Sequence, residues 1–128
     1  MRFTIIEEGK NYRVGLSEDH KTKMFASPEA NYLFNLENGQ MMLWGKTPMD
    51  DPGAFPAPNI LDLEETIICK GVNGKVCPFC YKSNLPTNKG SMSFETFKKI
   101  FDVLPKSITQ IAFGADDGSQ ASHARVNE

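Results

Sequence analysis

Three cysteines within twelve residues constrain this chain more than any other feature of its sequence. Cys69, Cys77 and Cys80 are the only cysteines, and two residues separate the last pair. An odd number of cysteines cannot all form internal disulfides, and such close clustering is typical of metal ligands in a reducing compartment. The sequence therefore predicts a metal-binding loop at residues 69–81 and a cytoplasmic protein.

The number of thiolates bears on which metal the loop would hold. Thiolates are soft ligands for both zinc and iron–sulfur clusters, and structural zinc sites and ordinary electron-transfer clusters usually take four protein ligands. The chain has no fourth cysteine, and His20 and His123 lie far from the loop in sequence. Three thiolates on a four-iron cluster would leave one iron open to a small molecule. The alternative is a small structural zinc-binding module without catalysis, completed by a histidine or a second chain.

A strand, a helix and a second strand are predicted around the cysteine loop. Residues 60–68 are rich in isoleucine and leucine and predict a strand that leads into the loop. Residues 93–104 predict an amphipathic helix, because phenylalanines recur there at intervals of three and four residues. Ser93 is suited to cap the start of this helix, and Pro105 to end it. Residues 108–113 then predict a buried strand.

This order predicts one βαβ unit over residues 60–114, because a helix of that length can serve as the crossover between two parallel strands. In such sheets ligand sites form at the carboxyl ends of the strands. The cysteine loop follows the first strand, and the segment Gly114–Gly118 follows the second. We therefore expect both segments at the same edge of the sheet.

The residues outside this unit predict other kinds of structure. Residues 1–45 predict a small antiparallel β region with short strands at residues 3–6, 12–16, 31–36 and 41–44, and the Asn38–Gly39 dipeptide is a clear hairpin signal. Residues 46–59 are rich in proline and glycine and predict a linker. Residues 115–128 contain no apolar run and predict a polar, disordered tail.

The overall composition bears on the classes of partner. The formal net charge is −2, and basic residues are scattered along the chain, so no electrostatic pull toward nucleic acid or anionic membrane is indicated. No apolar stretch approaches the ~20 residues of a membrane-spanning helix, and the first residues lack the pattern of a signal peptide. The sequence therefore predicts neither a nucleic-acid partner nor a membrane partner.

The cysteine loop resembles that of the radical S-adenosylmethionine enzymes. The resemblance lies in the Cys77–Cys80 element, Cys-Pro-Phe-Cys, with an aromatic residue before its last cysteine and a third cysteine upstream. It implies that Cys69, Cys77 and Cys80 bind a [4Fe–4S] cluster and that Phe79 lies near the adenine of S-adenosylmethionine. It also implies that Gly114 and Asp116 stand in the segment that binds the methionine amino group. The family usually has three residues between its first two cysteines, and this chain has seven.

The resemblance further implies a fold and a reaction. The fold would be α/β, with the antiparallel β region followed by the first βαβ unit of a partial (β/α) barrel. The cluster would use electrons from an external donor to cleave S-adenosylmethionine to a 5′-deoxyadenosyl radical, which would act on a substrate that the sequence does not identify. Because the predicted barrel stops after its second strand, we expect a truncated N-terminal portion with an incomplete catalytic core. An exposed sheet edge would then favour self-association.

Overall fold

The computed structural model describes residues 1–63, 75, 78–79 and 91–113, and within them the chain forms seven strands and one helix. In chain order these are β1 (Phe3–Gly9), β2 (Tyr12–Ser17), β3 (Thr22–Ala26), β4 (Asn31–Asn35), β5 (Met41–Trp44), β6 (Ile60–Leu63), α1 (Phe94–Asp102) and β7 (Gln110–Phe113). The chain divides into two compact units. The first consists of Met1–Asn59 and Pro105–Thr109, and the second contains β6, α1 and β7.

The first unit is built on an antiparallel sheet of five strands in the order β1-β2-β3-β4-β5. Its turns carry the residues that tight turns require. Asn11 closes the β1–β2 hairpin with φ of 68°, a left-handed conformation that asparagine tolerates better than most side chains. Gly39 has φ of 75° between β4 and β5 and donates its N–H to the carbonyl of Asn35 at 2.8 Å. The turn predicted at Asn38–Gly39 is confirmed.

One face of this sheet carries the core of the first unit. Val14, Phe25 and Tyr32 are adjacent across β2, β3 and β4, and all three are fully buried. The ring of Phe25 stacks on that of Tyr32 with centroids 5.2 Å apart and meets the ring of Phe55 at 5.5 Å. Phe55 and Ala57 belong to the segment predicted as a linker, and both pack against this core. Burial of aromatic surface on one sheet face is therefore the main source of stability in this unit.

The second unit contains a short parallel pair and the helix. Strands β6 and β7 pair in parallel from Ile60 opposite Gln110 to Leu63 opposite Phe113. The predicted helix is confirmed as α1, and its predicted cap is also present, since the Ser93 hydroxyl accepts a hydrogen bond from the Thr96 N–H at 3.1 Å. None of the residues of α1 is buried.

The fold class predicted from the sequence is wrong. The described residues are mostly antiparallel sheet, with one short helix and a small parallel pair, and they do not form the start of a partial (β/α) barrel. A barrel strand is covered on both faces and its helix buries an apolar stripe. Here Ile60 is 53% exposed, Phe113 is 37% exposed and α1 buries no residue. Most of the buried apolar side chains lie in the antiparallel sheet, because its aromatic residues face one another across three strands.

The one helix in the described part of the chain, α1, is not long and apolar enough to cross a membrane.

Candidate functional site

Most of the predicted site residues lie outside the part of the chain that the structure describes. These are the three cysteines Cys69, Cys77 and Cys80, together with Gly114 and Asp116. Their proposed roles therefore remain predictions. Among the residues that are described, no group of three or more histidine, cysteine, aspartate or glutamate side chains could hold a metal ion.

The two strands of the parallel pair precede the two predicted site segments in the sequence. These segments are the cysteine loop and the segment that begins at Gly114. Leu63 ends β6 and Phe113 ends β7, and these two residues are partners in the ladder. Strands that run in parallel have their carboxyl ends at the same edge of the sheet. Leu63 and Phe113, the last described residues before Cys69 and before Gly114, are therefore neighbours at one edge of this pair.

Phe79 is the predicted site residue whose position is described. Its side chain is 85% exposed, so the aromatic ring is available to a ligand and does not serve as a buried anchor for the loop. Lys75, in the same loop, is also exposed.

His20 was an alternative metal ligand for a zinc site. It lies in the tight turn between β2 and β3 with φ of 59°, and its N–H bonds to the carbonyl of Ser17 at 2.9 Å. His20 is exposed in this turn.

The structure also reveals a polar cluster that sequence reasoning missed. We call the segment Pro105–Thr109, which joins α1 to β7 and belongs to the first unit, the strap. The Tyr32 hydroxyl donates to the carbonyl of Ser107 at 2.6 Å, and the Lys23 amine donates to the carbonyl of Ile108 at 2.7 Å. Burial raises the pKa of Tyr32 well above its ordinary value and lowers the pKa of Lys23. No local sequence signal indicated this cluster, because the carbonyls of Ser107 and Ile108 lie 75 and 85 residues from Tyr32 and Lys23.

Comparison of the chain with protein-family models, with curated proteins and with solved structures found no match. Functional assignment must therefore come from the chain's own residues.

Proposed function

We propose that this chain binds a [4Fe–4S] cluster through Cys69, Cys77 and Cys80 and that the iron without a protein ligand binds S-adenosylmethionine. The clustering of three thiolates in twelve residues, with no fourth cysteine in the chain, carries the proposal. Three thiolates suit a four-iron cluster with one open position better than a closed zinc site. Because the thiols must stay reduced, we place the protein in the cytoplasm.

The resemblance to the radical S-adenosylmethionine enzymes implies roles for the remaining site residues, and their chemistry suits those roles. The exposed ring of Phe79 offers a flat apolar face on which adenine can stack. The carboxylate of Asp116 can accept a hydrogen bond from the amino group of the methionine moiety. Gly114 has no side chain, which would let a ligand approach its backbone closely. A cluster held by these cysteines would supply one electron, taken from an external donor, for cleavage of S-adenosylmethionine into methionine and a 5′-deoxyadenosyl radical, which would take a hydrogen atom from a substrate.

Anaerobic reconstitution of the whole chain with iron and sulfide tests the proposal. We expect a brown protein with about four irons per chain and broad absorbance at about 400 nm, as cluster binding by thiolates predicts. Iron and sulfide analysis and the visible spectrum are the measurements. A colourless protein that is purified with one tightly bound zinc, and that unfolds on chelation, would instead establish the structural zinc module.

Replacement of Phe79 with alanine tests the S-adenosylmethionine half of the proposal. We expect the iron content to stay the same and the Kd for S-adenosylmethionine to rise about tenfold, because loss of an aromatic stacking partner typically costs about 1–3 kcal/mol per base. Calorimetric titration of the reconstituted protein measures this Kd. Phe79→Tyr retains the ring and should bind normally, and Lys75→Ala is the control for an exposed position in the same loop. An equal Kd for S-adenosylmethionine in Phe79→Ala and the wild type would show that Phe79 does not contact this ligand.

A further inference from the structure

The strap is held to the five-stranded sheet mainly through its backbone. Two of its carbonyls accept hydrogen bonds from Lys23 and Tyr32, and the N–H of Lys106 donates to the Glu7 carboxylate at 3.2 Å. The side chain of Ser107 is fully buried, and its hydroxyl donates to the carbonyl of Pro58 at 2.6 Å. The sheet therefore binds this segment much as a receptor binds a peptide, with polar groups directed at the main chain.

Two of the strap contacts, those made by Tyr32 and Lys23, are shielded from water, whereas the contact between Glu7 and Lys106 is exposed. Tyr32 is fully buried and Lys23 is half-buried, so either donor would have limited access to water if it lost its partner. Among the described residues, the charge of Lys106 disfavours the Lys23 ammonium and that of Glu7 favours it. The carbonyl of Ile108 is therefore an important partner of the Lys23 amine. These contacts couple the sheet to the strap tightly.

The strap also holds together the two residues that directly precede β6 and β7 in the sequence. Thr109, its last residue, donates to the carbonyl of Asn59 through both its N–H and its hydroxyl, each at 2.9 Å. Asn59 directly precedes β6, and Thr109 directly precedes β7. These two residues are 50 positions apart in sequence, so joining them costs considerable loop entropy, which the two-stranded ladder alone is poorly able to offset.

We propose that Glu7, Lys23 and Tyr32 are positioning residues that fix the start and register of the β6–β7 pair, and thereby the edge from which the cysteine loop departs. The inference rests on the proposed function only in its last step, the effect on cluster binding. Its structural step is independent of any metal. A one-residue slip of β7 would shift its ladder and turn its side chains to the other face. The strap contacts oppose such a slip.

Hydrogen exchange and iron uptake together test this inference. In Lys23→Met and in Tyr32→Phe we expect the amides of β7 to exchange about tenfold faster while those of β3 and β4 keep their protection, which would show local rather than global opening. We also expect reconstitution of these variants to incorporate less than half of the iron of the wild type. Lys23→Arg keeps a long cationic donor and should restore both readouts. Lys21→Met removes an exposed lysine, paired with Glu37 at 2.9 Å, and serves as the matched control.

The outcomes separate the two proposals. Unchanged exchange of β7 in both Lys23→Met and Tyr32→Phe would overturn the positioning role. Faster exchange with full iron uptake would overturn its link to the cysteine loop. A wild-type chain that takes up no iron would refute the proposed cluster, and the exchange of β7 would still decide whether Lys23 and Tyr32 hold the parallel pair.

Discussion

Replacing Cys77 with alanine is expected to abolish cluster binding. The reconstituted wild type should carry about four irons per chain, and the variant fewer than about one, because a cluster left with two thiolates has lost a third of its protein ligands. Cys80→Ala should have the same effect, since the two cysteines are three positions apart and are expected to hold the same cluster. Iron analysis and the visible spectrum after anaerobic reconstitution are the measurements.

Cys69→Ala is the more discriminating variant. Seven residues separate Cys69 from Cys77, and the prediction that Cys69 is the third ligand depends on the chain spanning that interval. We expect the same loss of iron as in Cys77→Ala. Lys75 lies between these cysteines in sequence and is exposed, so Lys75→Ala should retain its iron and controls for any general sensitivity of the loop. Full iron retention in Cys69→Ala would show that a different ligand set binds the metal.

Replacing Phe25 with alanine should have the largest effect on stability. The Phe25 side chain is fully buried and its ring contacts those of Tyr12, Tyr32 and Phe55 at centroid distances of 5.2 to 5.5 Å. Truncation of a buried phenylalanine typically costs about 3–5 kcal/mol. A unit of about 60 residues has little stability to spare, so we expect much of the first unit to be unfolded in this variant at room temperature.

Denaturant titration followed by tryptophan fluorescence measures this effect. Trp44 is the chain's single tryptophan and lies half-buried at the end of β5, so its emission reports on the five-stranded sheet. Met42→Ala on the same strand is the matched control. Met42 is 65% exposed, and its replacement should change the free energy of unfolding by no more than about 0.5 kcal/mol. Equal midpoints for Phe25→Ala and Met42→Ala would mean that the aromatic cluster does not stabilise the unit.

The elements that local sequence signals predicted were largely found, and one that lacked such signals was missed. The helix was predicted because its periodicity, its Ser93 cap and the proline after it are all short-range features. Strand β3 was missed because it places Lys23 on the same face as Phe25, which breaks the alternation of polar and apolar residues. Lys23 can occupy that position because the carbonyl of Ile108 accepts a hydrogen bond from its amine. That acceptor lies 85 residues away and has no local signature.

The sequence by itself determined the turn at Gly39, the helix and its cap, and the set of thiolates from which the metal proposal follows, because each depends on residues close together in the chain. The tertiary structure alone decided the fold class, since that depends on which elements share a core. Only it revealed that Tyr32 and Lys23 hold the strap ahead of β7. Hydrophobic burial draws together residues far apart in sequence, and the hydrogen bonds that then form depend on which backbone groups it brings near them.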